Sequence, residues 1–231
     1  MLDITPTEWT AILLSLRVAA VATLVATPIG IALAWLLARR EFWGKSLLDA
    51  LVHLPLVLPP VVTGYLLLLA FGRKGPLGAL LADYLGIVFA FRWTGAALAC
   101  GVMSFPLLVR PIRLSIEAVD RRLEQAAETL GAAPWRVFAT VTLPLSLPGV
   151  LAGMVLGFAK AIGEFGATIT FVSNIPGETQ TISSAIYSLI QTPDGDTAAL
   201  RLVMVSIVIA VTALIGAEWF ARRATRRLHG N

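Results

Sequence analysis

Five long apolar stretches, closed by charged or turn-forming residues, alternate with short basic clusters along this chain. A helix that crosses a bilayer needs about 20 mostly apolar residues, because the hydrocarbon core is roughly 30 Å thick and each residue rises about 1.5 Å. Val18 to Ala38 lies uncharged between Arg17 and Arg39, Ala50 to Gly72 between Asp49 and Arg73, and Trp93 to Val109 between Arg92 and Arg110. A fourth crossing runs from about Ser146 to Val172, interrupted by Lys160 and Glu164, and a fifth from Leu202 to Ala217 is extended at both ends by amphipathic residues. The pattern predicts an all-α, polytopic membrane helix bundle of about five transmembrane helices.

An odd number of crossings puts the termini on opposite sides, and the count of Lys and Arg in short flanking loops selects the orientation. With the N-terminus outside, the cytoplasm receives Arg39, Arg40, Lys45, Arg110, Arg113, Arg121, Arg122, Arg136 and the tail cluster Arg222, Arg223, Arg226 and Arg227. The outside receives Arg73, Lys74, Arg92 and Arg201. Arg17, read as lying near the outer end of the first helix, is a small exception that a snorkelling side chain accommodates. Met1 to Trp9 carries Asp3 and Glu8 and no basic group, unlike a cleavable signal peptide, so the first helix is expected to stay in the mature protein.

Composition narrows the class further. Of 231 residues 57% are hydrophobic and 14% charged, against about 25% charged in a soluble domain. No linker divides the apolar runs, which predicts one domain, and no fixed-period repeat suggests a solenoid. The net charge of +4 sits in clusters between crossings, which fits membrane topology better than nucleic-acid binding. The single Cys100 has no partner for a disulfide, and its apolar surroundings predict a buried thiol. His53 and His229 are the only histidines and no intramembrane Asp pair is present, so the constellations of membrane proteases and zinc sites are missing. Trp43-Gly44-Lys45-Ser46 lacks the earlier glycine of a phosphate-binding loop, since Arg39 stands there.

The segment from Glu117 to Pro144 is too long for a simple bundle, at about 28 residues against the roughly two to eight usual between bundle helices. Asp120 is placed to cap a helix, Glu124 lies in its first turn, and Gly131 is placed to end it. A second helix begins at Pro134, continues through Trp135, Val137 and Phe138, and is expected to stop at Leu143-Pro144. Leu123, Ala126, Ala127 and Leu130 fall on one narrow face of the first helix, where small side chains permit close approach by another backbone. Patterning alone also allows a solvated loop packed on its own membrane helices.

The run Glu124-Gln125-Ala126-Ala127, with Gly131 four residues on and Val141-x-Leu143-Pro144 after that, resembles the EAA loop of type I ABC importer permeases. The resemblance extends from about Ala11 to Trp219, implying a transmembrane domain over 11–219 with a cytoplasmic coupling loop at 117–144 and a basic cytoplasmic tail at 220–231. In that family the loop docks into a groove on a separate ATPase subunit, a role the resemblance carries onto Glu124, Gln125, Ala126, Ala127, Gly131, Leu143 and Pro144. The family usually has Glu at the first motif position, where this chain has Gln125 with Glu124 just before it, so docking by shape is what carries over.

Three further segments resemble the molybdate branch more closely than the sulfate branch: His53 to Tyr65, Gly163 to Phe171, and Val172 to Thr179. The resemblance implies a chain that forms the pathway and catalyses nothing itself, with ATP and magnesium held by two cytoplasmic ATPase subunits. It also implies a second copy of the permease and a periplasmic molybdate-binding protein docking on the outer loop from Ser173 to Arg201. Tungstate is too similar to molybdate to be separated here, and sulfate or thiosulfate is the next alternative.

Residues for a pathway follow from chemistry. Pro55, Pro59 and Pro60 remove backbone donors within the second crossing, which suits either a static kink or a moving gate. Gly163, Gly166 and Ala167 permit tight helix contact. Lys160 and Glu164, four apart in the fourth crossing, are expected to pair, and with Thr168 they either brace the bundle or border an aqueous path. Glu164 would also serve an ion-coupled carrier, but such a carrier has no use for an ATPase-docking loop. On the outer loop, Thr181 is placed to cap a short helix with Ile182, Ala185, Ile186, Leu189 and Ile190 on one face, expected to lie partly in the membrane surface.

Overall fold

The computed structural model describes the backbone of residues 4–229 and side chains as far as Gly216. Side chains of the predicted basic tail, and residues 230–231, lie outside this description. Among the described residues every regular element is helical. The first, α1, spans Pro6–Arg39, and its start is written locally: Thr5 Oγ1 accepts from the Glu8 amide at 3.3 Å while Glu8 accepts from the Thr5 amide at 2.7 Å. Glu8 also accepts from Arg201 at 2.8 Å, tying this end of α1 to the last helix. Because α1 begins eleven residues before Arg17, that arginine is not at a helix end as the sequence suggested; its guanidinium stacks over Trp93 at 3.8 Å from the ring centroid.

The second predicted crossing is not one helix. It divides into α2 (Lys45–Val57) and α3 (Pro60–Phe71), bent by 116°. The cause is the Pro-Pro pair: a residue before proline is driven from the helical region, and both Leu58 (φ −72°, ψ 142°) and Pro59 (φ −53°, ψ 134°) are extended. Arg113 holds α2 in place by pairing with Asp49 at 2.8 Å. A short helix α4 (Pro76–Leu85) precedes α5 (Trp93–Glu117), the central strut of the bundle.

Beyond α5 lie α6 (Arg121–Thr129) and α7 (Pro134–Val137), then a π-helical turn at Phe138–Thr142 that leads into α8 (Leu143–Ile162). The second loop helix therefore does not stop at Leu143-Pro144, and Pro134–Ile162 forms one continuous span. In an α-helical register the Pro144 ring would strike the carbonyl four residues back; the wider π turn, closed by Leu143 N–H donating to the Phe138 carbonyl, relieves that conflict.

The fourth predicted crossing breaks as well. After α8 the chain unwinds at Gly163 to Phe165 and resumes as α9 (Gly166–Val172). Two elements complete the fold, α10 (Ile182–Leu189) and α11 (Asp196–His229). The α1, Trp93–Glu117, Pro134–Ile162 and α11 segments are each long and apolar enough to cross a membrane, and the α2–α3 pair meets the same test only jointly.

The core sits where α5 meets α1 and α8. Gly149, Gly153 and Gly157 line one face of α8 against α5, so close that a Cβ on Gly153 would stand 2.5 Å from the Leu108 carbonyl oxygen. Helix α10 packs inward: Ile182 and Ala185 are buried with Ala11, Ile12 and Leu202. Its predicted apolar face thus meets α1 and α11 instead of a membrane surface, apart from Ile190, which stays exposed. Thr181 is the N-cap residue but its hydroxyl makes no cap; the Ile182 amide donates instead to Ser15 Oγ at 2.7 Å, a partner on α1.

Candidate functional site

At the Arg39 end of the bundle, α6 projects as an elbow. Asp120 caps it, accepting from the Arg122 amide at 2.9 Å. Gly131 ends it at φ +83°, which lets Gly131 N–H reach the Glu128 carbonyl at 2.9 Å and Ala132 N–H reach the Ala127 carbonyl at 3.1 Å. Gln125 and Ala126 are exposed and Ala127 is half-buried. Leu123 and Leu130 are exposed too, Leu130 to 89%, a cost for a helix that docks on nothing.

Glu124 points the other way. Its Oε1 accepts from Thr142 at 2.6 Å and from Arg39 at 3.2 Å, and Arg39 also donates to the Val119 carbonyl at 2.9 Å. This carboxylate joins α6 to the end of α1 and to the π turn, so the elbow and α8 are held as one body. Behind it lies a cavity of about 250 Å³ walled by Trp35, Arg40, Arg121 and Glu128. On the loop beside it, the hydrogen bond from Lys45, at 2.7 Å, holds the Glu41 carboxyl below the usual carboxylate range. Leu143 and Pro144 stand at the start of α8, Leu143 packed beside buried residues of α1 and α5 and away from the exposed face of α6.

Replacing Glu124 with Ala leaves the Thr142 hydroxyl without its acceptor and the Arg39 guanidinium with only the Val119 carbonyl, a loss of about 1.5–3 kcal/mol for a charge-assisted bond. Trypsin cleavage after Arg121 or Arg122 is expected to accelerate about tenfold or more, at about 1.4 kcal/mol per factor of ten, whereas Glu124→Gln keeps an acceptor and stays closer to wild type. Equal cleavage of all three proteins would contradict the latch.

The two helix breaks meet inside the bundle. A Cβ on Gly166 would stand 2.7 Å from Pro60 Cβ, and one on Gly64 2.5 Å from the Ala167 carbonyl oxygen, so α3 and α9 cross backbone against backbone. Gly163, by contrast, has only its own helix nearby. Glu164 lies in the break and not on a helical face as its spacing suggested: Gly163 (φ −84°, ψ 1°) has already left the helix. Even so, Lys160 Nζ donates to Glu164 Oε2 at 2.6 Å, while Oε1 accepts from the Ala167 amide at 3.0 Å and so caps α9. Glu164 is buried and Lys160 half-buried, which leaves the ammonium partly open. Thr168 turns back to the Phe165 carbonyl at 2.8 Å, Pro59 and Pro60 are exposed, and the Thr63 hydroxyl is buried with no partner among the described residues.

The glycine stripe on α8 and the Glu124 latch are absent from the sequence expectations; the four-residue spacing of Gly149, Gly153 and Gly157 is the signal available for the first. Nothing local signals that Glu124 pairs with Arg39, eighty-five residues away.

A bundle of crossing helices with two facing interruptions and a projecting elbow joined to one of them by a continuous helix defines a membrane-embedded transport subunit with the type I ABC importer permease fold. The chain belongs to the family of binding-protein-dependent transport system inner membrane components, whose profile matches residues 26–226. It is a multi-pass inner membrane protein. It is 61% identical over 224 residues, 97% of this chain and 98% of the other, to the molybdenum transport system permease protein ModB of Escherichia coli strain K12. The ModB protein of Haemophilus influenzae is 58% identical over 96% of each chain, and a probable sulfate transport system permease of Chlorella vulgaris is 34% identical over 91% of this chain and 79% of its own. Among solved structures, a bacterial ABC transporter for import of the acidic polysaccharide alginate has a TM-score of 0.74 at 18% identity, covering 95% of this chain and 80% of that one.

Proposed function

We propose that this chain is the permease subunit of an ATP-driven importer that moves molybdate across the inner membrane by alternating access. The observation that carries the reading is the near full-length identity of 61% to a molybdenum permease. The elbow supports it, because exposed Leu123 and Leu130 beside small Ala126 and Ala127 suit a docked protein surface. In this reading Gln125, Ala126, Ala127 and Gly131 meet a cytoplasmic ATPase that binds ATP and magnesium, and Glu124, Leu143 and Pro144 support them from behind. Two copies of the chain pair with two ATPase subunits, a periplasmic molybdate-binding protein delivers the anion, and the N-terminus is periplasmic with the C-terminus cytoplasmic.

The continuous Pro134–Ile162 span then acts as a lever, about 44 Å long at about 1.5 Å per residue, from the elbow to the break at Glu164. Motion of the docked elbow is delivered where α9 crosses α3 at Pro59 and Pro60. Lys160 borders the path, where its charge partly offsets the repulsion of a dianion and Glu164 prevents tight binding. Glu164→Gln keeps a cap for α9 and loses the charge partner of Lys160, so uptake is expected to fall by roughly two- to tenfold, about 1 kcal/mol, without loss of membrane protein. Unchanged uptake would remove Glu164 from the pathway.

The reading is tested in cells lacking molybdate uptake that express this chain with its ATPase and binding protein. Uptake of radiolabelled molybdate is expected only when a hydrolysis-competent ATPase is present, with competition by tungstate and little by sulfate. Full uptake without the ATPase would refute the importer, and preferential blockage by sulfate would reassign its substrate.

A further inference from the structure

The face of α1 turned towards α2 and α5 carries a groove of about 570 Å³ whose walls are apolar side chains, among them Val25, Ile29, Val52, Trp93 and Phe105, with Gly101 in its floor. Val25, Ile29 and Leu51 on its rim are 60%, 53% and 55% exposed, so the groove is open along its side. Arg17, one turn before the first groove residue of α1, stacks over the wall residue Trp93. Arg17 is exposed and, among the described residues, enters no ion pair, as do neighbouring Arg92 and, at the same end of the bundle, Arg73 and Lys74.

The depth of Arg17 is set by α1. It stands 22 residues before Arg39, about 33 Å at about 1.5 Å per residue, and the hydrocarbon core is roughly 30 Å thick. Arg39 ends α1 and bonds Glu124 of the elbow; with the elbow in the cytoplasm, as the proposed function has it, Arg17 reaches the opposite boundary, where lipid phosphates lie. A groove of hydrocarbon character bordered at Trp93 by a guanidinium that, among the described residues, enters no ion pair matches an amphiphile with an anionic head. We propose that this groove is a binding site for an anionic phospholipid, with an acyl chain along α1, α2 and α5 and its phosphodiester on Arg17. The charge bordering the groove favours lipid over a second copy of the chain, because a protein surface covering the groove would have to supply a carboxylate to Arg17. The inference does not depend on which substrate is transported.

Native mass spectrometry of the intact complex, extracted in mild detergent and offered phosphatidylglycerol and phosphatidylethanolamine in equal amounts, tests the site. Wild type is expected to retain phosphatidylglycerol preferentially. Arg17→Gln should reduce that preference about fivefold, the worth of about one cation near a lipid surface, and Arg17→Lys should restore it. Gly101→Phe should lower retained lipid of both kinds, since a Cβ there meets nothing nearer than 3.8 Å and the ring extends into the groove. Arg17 is exposed, so its variants are expected to fold and keep the test decisive should Gly101→Phe fail to. Retention unaffected by Arg17→Gln, displacement of the lipid by inorganic phosphate alone, or a Gly101→Phe variant that splits the permease dimer with its lipid unchanged would each overturn the proposal.

Discussion

Gly131→Val is expected to reach the membrane at wild-type level and to abolish molybdate uptake. At φ +83° Gly131 occupies the left-handed region, where an L side chain costs about 1–2 kcal/mol and a β-branched one more. A Cβ there meets nothing within 4 Å, so no core contact is lost and insertion proceeds. The strain is relieved by reopening the bonds from Gly131 and Ala132 that end α6, which swings Leu130 and Trp135 away from their present arrangement. Gly131→Asn separates the causes: asparagine tolerates this conformation, so most uptake should return if backbone geometry is what matters. Membrane abundance by immunoblot and uptake of labelled molybdate are the paired measurements. Normal accumulation in Gly131→Val would remove the elbow from the coupling mechanism.

Gly64→Val is expected to fail earlier, at folding. The added Cβ would lie 2.5 Å from the Ala167 carbonyl oxygen and 2.9 Å from the Ala167 Cα and the Thr170 Cβ. Backbone atoms cannot rotate aside as a flexible side chain does, so α3 and α9 must separate, and overpacking of this kind costs about 1–3 kcal/mol or more. Loss of the monodisperse peak in size-exclusion chromatography of detergent extracts is the expected result. Gly101→Ala, which meets only Ala22 at 3.8 Å, should run as wild type. A stable Gly64→Val protein would mean that the crossing of the two breaks is looser than described.

Both substitutions act at glycines, yet their legibility differs. Gly131 is visible in sequence because a glycine after an Asp-capped amphipathic turn and before Ala-Ala-Pro is a local signal, and the bonds that satisfy it come from residues within four positions. Gly64 is opaque, because what forbids its side chain is Ala167, more than a hundred residues away. The same division runs through the candidate site. A separation of four residues signals the Lys160–Glu164 pair, but the same spacing puts Glu164 on a helix that has already ended, and its second partner is the α9 amide it caps. Pro144 signals a helix stop by its local chemistry, whereas a π turn carries the helix past it.

By itself the sequence determined the helical membrane architecture, the approximate span limits and the cap residues at Asp120 and Gly131, because burial in hydrocarbon and backbone hydrogen bonding act on neighbouring residues. Only the tertiary structure decided how sharply the locally signalled Pro-Pro kink bends the second span, that the two breaks face each other, and that Glu124 locks the elbow to Arg39. The last two depend on contacts between residues far apart along the chain, governed by close packing of small residues at the crossing and by a long-range ion pair at the elbow.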